Sequence, residues 1–306
     1  MKLVTFSPPS GGARAGWLTP DGQGVVDMRQ VSQGALPADM LSFIEQHETL
    51  LPLLQQQGWH TAPATYALAA VTLLAPLPNP RSFRDYVSFE QHLLNAAAQF
   101  GHQVAAEWYE MPIFYFTNHQ AIIGPGAAVR RPAGETRLDY ELELACVLGR
   151  GGTNLSAAQA EDCIFGYTIF NDFSARAIQG REMRCHLGPA KGKDFANALG
   201  PYLVTKDEVE AFRDETGRLS LGMRSRINGQ PICDGNFNTI HYSFGQMLAK
   251  ASENDVPLHP GDVFGSGTVG WGSLVETGFQ AHRALEPGDV VELEIDGLGV
   301  LSNSII

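Results

Sequence analysis

The chain has 306 residues, with 33 acidic and 21 basic side chains and a formal net charge of -12. This length suits two domains, or one large domain with an appendage, and allows a full hydrophobic core. The negative charge makes nucleic acid and anionic membranes poor partners. We find no apolar run of membrane-spanning length, and residues 1–9 lack the apolar core of a signal peptide. We therefore expect a cytoplasmic protein.

Cysteine, glycine and proline usage narrows the class of protein further. The four cysteines are scattered without a C-x-x-C spacing, which favours reduced, packed thiols (Cys146, Cys163, Cys185 and Cys233). The 33 glycines and 18 prolines indicate many turns. Frequent turns are typical of a chain that is built mainly from β-strands.

Residues 1–75 are predicted to form a small leading domain of strands plus one helix. Short strands are expected at 2–6 and 24–28. A helix is expected over 37–57, where Pro52 should kink or end it. The proline-rich run 74–80 is stiff and extended, which suits a linker into a second domain over 76–306.

The first candidate functional residues follow this linker. The pattern predicts a helix from Ser82 to Phe100, with Ser82 as a possible N-cap and Gly101 as the stop. Asp85 and His92 are seven residues apart, so two helical turns would bring them to one face and into one pocket. A histidine on a helix face is, however, more often a surface or core residue than a catalytic one.

The next segment, 137–149, alternates acidic and apolar residues as a strand does. A period of two places Asp139, Glu141 and Glu143 on one face of this strand. Like charges at a point where a strand enters the core favour a bound Mg²⁺, Ca²⁺ or Mn²⁺ ion. The alternative is that these acids lie on the solvent-exposed face of an edge strand. We interpret the similar run 291–296 in that way.

A buried strand over 164–170 leads into the sequence Asn171-Asp172. Asp172 at the strand end is a candidate third metal ligand, although it could instead cap a helical turn that begins near Ser174. Arg176 and Gln179 are three residues apart and should project together from that turn. A helix is predicted over 156–163 with Ser156 as its cap, and strands over 201–205, 219–227, 263–265 and 290–295.

Two glycine-rich loops complete the candidate site. In the loop 187–195, Lys191 and Lys193 lie among glycines that would let an amine approach a ligand, although surface lysines are the ordinary alternative. In 265–276, many small residues suggest a backbone that approaches a substrate closely, or an ordinary tight strand connection.

Together, and in this order, these segments resemble the fumarylacetoacetate hydrolase family over roughly residues 78–306. The motifs are 85–92 (DYVSFEQH), 138–149 (LDYELELACVLG), 165–179 (FGYTIFNDFSARAIQ), 188–195 with Gly200-Pro201, and 265–276, and the tail 287–303 also fits. The resemblance implies an α+β, β-rich fold: a mixed β-sandwich roll preceded by the small N-terminal domain. It also implies a homodimer.

The resemblance assigns roles to individual residues. It implies metal ligands at four acidic positions (Glu141, Glu143, Asp172 and Asp85), and a general base, His92, that is paired with Glu276. It implies stabilisation of negative charge by three further residues (Lys193, Gln179 and Arg176) and substrate contacts at three more (Thr268, Tyr86 and Gly267). The chain departs from the family pattern at Val87, Gly101 and 196–197, near the expected contacts to a substrate carboxylate.

The implied activity is metal-dependent hydrolysis of a carbon–carbon bond in a small 1,3-dicarbonyl acid, with Mg²⁺, Ca²⁺ or Mn²⁺ as cofactor. His92 would activate water in this reaction, and the resemblance also implies a role in aromatic-compound catabolism. The alternatives are a decarboxylase or an isomerase (tautomerase) on the same chelated acid, which need the metal but no attacking water. A ligand-binding protein that kept the fold is a further alternative.

Overall fold

The computed structural model describes residues 1–101 and 103–306 and shows a sheet-rich chain with short helices. The strands are β1 Lys2–Ser7, β2 Arg14–Leu18, β3 Gly24–Asp27, β4 Tyr66–Ala67, β5 Thr72–Leu73, β6 Phe83–Tyr86, β7 Phe114–Phe116, β8 Ile122–Ile123, β9 Ala128–Val129, β10 Leu138–Asp139, β11 Leu142–Leu148, β12 Ile164–Asp172, β13 Ser174–Ala175, β14 Asn197–Thr205, β15 Gly222–Ile227, β16 Gln230–Asn236, β17 Val263–Gly265, β18 Val290–Ile295 and β19 Gly299–Ile305.

The α-helices are α1 Met28–Val31, α2 Met40–Glu45, α3 His47–Gln56, α4 Glu90–Phe100, α5 Ala157–Asp162, α6 Arg176–Met183, α7 Lys206–Val209 and α8 Phe244–Ala251. The 3-10 turn Val275–Thr277 carries Glu276. In the part of the chain that the structure describes, no helix combines the length and apolar character that a bilayer span requires.

The strands form one large mixed sheet and two smaller sheets. The large sheet runs β4-β3-β2-β1-β14-β12-β11-β17-β6-β7, with β5 beside β1 and β8 beside β14. A second sheet has the order β16-β15-β18-β19-β9, and β10 pairs with β13. Because β1 pairs with β14, the N-terminal strands continue the same sheet as the strands after residue 76. The domain boundary at 75–76 stays a prediction.

The centre of the large sheet is buried on both faces. Every residue of β11 and of β12 is buried, as their apolar sequences LELACVL and IFGYTIFND favour. Strand β11 lies between β12 and β17, and β17 in turn pairs with β6. This order of strands brings the ends of β6, β11 and β12 close to one another.

Two helix predictions need correction. The helix expected over 37–57 breaks at Gln46, and Pro52 lies inside α3, so it does not end the helix. The helix expected from Ser82 is wrong over its first half, because Phe83–Tyr86 is strand β6 and the helix begins at Glu90. The stop at Gly101 is confirmed, since Gly101 has the left-handed φ of 68° that ends many helices.

Most of the remaining predicted elements are confirmed. Strands 263–265 and 290–295 match β17 and β18, and Ser156 caps α5 through a capping box. Strand β2 was not predicted, and the helical turn expected near Ser174 begins at Arg176, after β13. Three of the cysteines are buried, whereas Cys185 is exposed.

Candidate active site

Four acidic side chains meet at the ends of the central strands. Asp85 comes from β6, Glu143 from β11 and Asp172 from the end of β12, and Glu141 immediately precedes β11. One carboxylate oxygen of each lies within 4.8 Å of the others, and all four residues are buried. Glu141 and Glu143 are 5% and 0% exposed, so the interpretation that they lie on the solvent-exposed face of an edge strand is wrong.

A glycine makes the convergence of these acids possible. Gly265 of β17 pairs with Asp85 on one side and with Ala145 of β11 on the other. A Cβ atom at Gly265 would lie 2.3 Å from Asp85 Oδ1 and 2.9 Å from Glu143 Oε2. The two carboxylates therefore occupy the space over the glycine, and a side chain there would push them apart.

The cluster is electrostatically costly without a cation. Burial raises the pKa of Asp85 and of Glu143, and it raises the pKa of Asp172 to about 8. Glu141 differs: burial would raise its pKa, but the neighbouring Lys193 and Arg176 lower it. Among the described residues, Asp85 Oδ1 and Asp172 Oδ1 are buried without a hydrogen-bond donor. Unpartnered carboxylate oxygens fit a hard divalent cation.

Two positively charged side chains, those of Lys193 and Arg176, contact the acidic cluster. The Lys193 ammonium donates to Glu141 and, at 2.5 Å, to Asp172 Oδ2. Although burial alone would lower its pKa, these carboxylates raise the pKa of Lys193. Arg176 donates at 2.7 Å to Glu141 Oε1 and at 3.1 Å to Gln179 Oε1, so the predicted pairing of Arg176 with Gln179 is confirmed.

The alternative roles of Lys193 and Asp172 are excluded by their surroundings. Lys193 is buried, so the interpretation as a surface lysine is wrong for it, whereas Lys191 is exposed. Asp172 does not cap α6, because Glu135 accepts from the backbone amides of Ala177 and Ile178 in its first turn.

A histidine and a glutamate form a pair beside the cluster. His92 Nδ1, on α4, lies 2.9 Å from Glu276 Oε1, on the turn Val275–Thr277. Burial alone would lower the pKa of His92, but the Glu276 carboxylate outweighs it and raises that pKa. The charges of Glu141 and Arg176 also act on this pKa, the first raising it and the second lowering it.

The prediction that Asp85 and His92 share a helix face is wrong, because Asp85 lies on β6 and His92 on α4. Asp85 nevertheless belongs to the acidic cluster, and His92 belongs to the pair with Glu276 beside it. The irregular segment 87–89 connects β6 to α4, so helical spacing does not relate the two residues.

The predicted substrate contacts divide into two groups. The Gly267 amide donates to Glu143 Oε2 at 2.9 Å, and the Thr268 hydroxyl lies 3.4 Å from Glu143 Oε1, so both are at the cluster. The Tyr86 hydroxyl instead donates to the Met247 carbonyl, and its ring packs in the hydrophobic core. The structure therefore does not bring the Tyr86 side chain to the cluster.

Two residues at the site were not assigned a role from the sequence. The Tyr115 hydroxyl, from β7, donates to Asp172, and Tyr115 and Lys193 both line a cavity of about 230 Å³. Asp139 accepts from Arg176 at 2.9 Å and from the backbone amides of Leu274 and Val275. Asp139 thus ties Arg176 to the turn that carries Glu276. The acidic strand pattern already contained Asp139, whereas no local motif marked Tyr115.

Comparison with known proteins identifies the family. Residues 81–306 match the family model described as fumarylacetoacetate (FAA) hydrolase C-terminal. The chain belongs to the fumarylacetoacetate hydrolase family. The expected family and the β-rich α+β fold are both confirmed.

Individual members of the fumarylacetoacetate hydrolase family match along most of the chain. A mitochondrial oxaloacetate tautomerase of Xenopus laevis is 31% identical to this chain. The alignment spans 100% of this chain and 90% of that protein. An oxaloacetate tautomerase of Bacillus subtilis is 32% identical over 78% of this chain and 75% of its own. The solved fumarylacetoacetate hydrolase of Exiguobacterium antarcticum has a TM-score of 0.73 and 25% identity, and covers 100% of this chain and 99% of its own.

Proposed function

We propose that this chain is a divalent-metal-dependent tautomerase of a small 1,3-dicarbonyl acid, with oxaloacetate as the first candidate substrate. The observation that carries the proposal is a buried His92–Glu276 pair beside four converging carboxylates. The similarity to two oxaloacetate tautomerases, one of which matches the whole chain, supports this reaction over the hydrolysis that the sequence motifs implied.

The acidic cluster suits a cation that binds oxygen ligands. The residues that would hold it are Asp85, Glu141, Glu143 and Asp172, whose oxygen donors favour Mg²⁺, Mn²⁺ or Ca²⁺ over softer metals. A bound divalent cation polarises the carbonyl groups of a dicarbonyl acid and so acidifies the carbon between them.

The proton transfer falls to the protein's own side chains. From ketone to enol, neutral His92 would take a proton from the carbon between the two carbonyls as the ketone oxygen gains one. From enol to ketone, protonated His92 would return a proton to that carbon as the enol oxygen loses one, so the step balances in both directions. Glu276 would hold the imidazole in place and stabilise its cation. Lys193 and Arg176 supply positive charge beside the oxygen that becomes negative, and Gln179 orients Arg176.

The test is the rate at which the ultraviolet absorbance of enol-oxaloacetate decays with Mg²⁺ or Mn²⁺ present. The wild-type chain should accelerate the decay above the rate with metal alone, and His92→Gln should lose on the order of 10²–10⁴-fold. His60→Gln, at an exposed histidine in the N-terminal segment, is the matched control and should keep the full rate. No acceleration by the metal-saturated wild type would refute the proposal.

Hydrolysis of a carbon–carbon bond is the second candidate function. The same His92–Glu276 pair can take a proton from water, and the similarity to a solved fumarylacetoacetate hydrolase favours this reaction. A panel of acylpyruvates and fumarylpyruvate separates the candidates, because hydrolysis yields two acids whereas tautomerisation yields one isomer. Release of CO₂ from oxaloacetate would instead indicate decarboxylation, and a ligand-binding protein would turn over none of these acids.

We also propose a homodimer, as the family resemblance implies. Light scattering coupled to size-exclusion chromatography tests it directly. A mass of about 33 kDa, that of one chain, at micromolar concentration would contradict this proposal.

A further inference from the structure

One face of α4 carries three polar side chains that all contact Glu276. His92, Asn95 and Gln99 occupy positions i, i+3 and i+7, which lie on one side of a helix. His92 contacts Glu276 Oε1 at 2.9 Å, and Asn95 Nδ2 donates to Glu276 Oε2 at 2.8 Å. Gln99 Nε2 donates to the backbone carbonyl of Glu276 at 3.2 Å. The helix therefore holds this one residue at three separate atoms.

The amide of Asn95 has a defined orientation. Gln91 Nε2 donates to Asn95 Oδ1 at 2.8 Å, which leaves Asn95 Nδ2 to donate to Glu276. Hydrogen bonds thus run from Gln91 through Asn95 to Glu276, and Glu276 Oε1 lies 2.9 Å from His92 Nδ1.

The two oxygens of Glu276 have different partners. Oε2 accepts from Asn95 and from the Trp271 amide at 2.6 Å, while Oε1 accepts from the amide and hydroxyl of Ser273 at 3.2 and 3.0 Å. The terminal torsion of a glutamate is broad and nearly two-fold, so donors on both oxygens are needed to fix the carboxylate plane. Oε1 is thereby held towards His92.

We infer that Asn95 is a positioning residue, which fixes the Glu276 carboxylate so that one defined oxygen faces the His92 imidazole. Asn95 acts through Glu276 and contacts no reacting atom in this arrangement. The inference rests on the proposed function in one respect, the role of His92 as the group that carries the proton. Nothing in the family motifs marks Asn95, since they include His92 and Glu276 but not this helix position.

Burial lowers the pKa of His92, and three charged groups from separate elements also act on it. They are Glu276 from the turn Val275–Thr277, Glu141 beside β11, and Arg176 at the start of α6. Asn95 carries no charge, so replacing it changes the placement of Glu276 without changing the net charge of the site. A shift in the pKa of His92 in an Asn95 variant therefore reports the geometry of the pair.

The experiment is a nuclear magnetic resonance titration of the His92 ring, assigned by its loss in His92→Gln, combined with a pH profile of kcat. In Asn95→Leu we expect the pKa of His92 to fall towards that of free imidazole, because Glu276 faces it less of the time. We expect kcat to fall on the order of tenfold with KM little changed. Losses of this size are typical when a residue that orients a metal ligand through a hydrogen bond is removed. Gln99→Ala, which loses a bond to backbone only, is the control and should leave the titration unchanged.

Each outcome of this experiment decides something. An unchanged titration in Asn95→Leu, or equal shifts in Asn95→Leu and Gln99→Ala, would overturn the inference. If Asn95→Leu does not fold, Gln91→Leu at the exposed start of the chain of bonds should give a smaller shift in the same direction, and no shift there would overturn it as well. The titration needs no substrate, so it stands even if the tautomerase assay fails.

Discussion

At Gly265 the identity of one residue decides whether four acids can meet. In Gly265→Ala, the new Cβ would force Asp85 and Glu143 away from their present positions, because strand pairing on both sides holds the backbone. We expect Mn²⁺ binding, measured by calorimetry, to weaken by at least tenfold. Gly180→Ala is the matched control, because its Cβ would meet nothing within 4 Å on α6. Equal metal affinity in both variants would contradict the close-contact argument.

The His92–Glu276 pair predicts a specific pH dependence. When the ketone is converted to the enol, His92 acts as the general base and must be neutral, so kcat/KM for that direction should have an acid limb. Glu276 raises the pKa of His92 by stabilising its charged form. The acid limb of kcat/KM should therefore have its midpoint above about 6.5, the ordinary value for histidine. In Glu276→Gln the attraction is lost and the midpoint should move to lower pH, with a lower plateau. A midpoint that does not move would show that another group controls the limb.

The residues of the site differ in how far the sequence could predict them. Glu141, Glu143 and Asp172 were predictable because each lies where an apolar strand begins or ends in the sequence itself. Tyr115 and Asn95 were not, since their contacts with Asp172 and Glu276 join residues 57 and 181 positions apart. A contact of that span leaves no local pattern.

The same limit explains the main error at the scale of elements. The sequence of β6, Phe-Arg-Asp-Tyr, fits a helical period as well as a strand. What makes it a strand is pairing with β17, about 180 residues later, and with β7 on its other side. Helix α4 and its Gly101 stop are local features, and the sequence predicted both.

Helix α6 carries Arg176 and Gln179, and its start depends on a residue from outside the helix. Ala175 at its N-cap makes no side-chain cap, but buried Glu135 accepts from the amides of Ala177 and Ile178 at 3.2 and 3.1 Å. Loss of a helix cap typically costs about 1 kcal/mol. We expect Glu135→Ala to lower the free energy of unfolding by about that amount or more, and to lower kcat because Arg176 loses its alignment.

Glu135→Gln keeps an acceptor at the same place and is the control for this helix. Denaturant unfolding with a parallel rate measurement should rank the three proteins wild type, Glu135→Gln, Glu135→Ala in both stability and kcat. If Glu135→Ala loses stability but keeps full kcat, the position of Arg176 does not depend on this cap.

At the scale of the whole molecule, the buried acids couple folding to protons and to metal. Asp85, Glu143 and Asp172 have raised pKa values, so the folded chain holds protons that the unfolded chain releases. The metal-free stability should therefore fall as pH rises from about 4 towards 8, the folded pKa of Asp172. His92 acts in the same direction, because its raised pKa stabilises the fold below about 6.5 and that contribution is lost at higher pH. Glu141, whose pKa is lowered, loses its contribution only below this window.

A bound divalent cation should reverse this trend. It competes with the protons for the same carboxylates, so it binds the folded state more strongly as pH rises and adds more stability there. We expect Mn²⁺ or Mg²⁺ to raise the melting temperature by more at pH 8 than at pH 5, and EDTA to remove the difference. In Asp172→Asn, which removes the group with the pKa of about 8, both the metal-free decline and the metal response should shrink. If metal leaves the melting temperature unchanged at every pH, Lys193 and Arg176 alone neutralise these acids. The proposed reaction would then have no divalent cation to polarise its substrate.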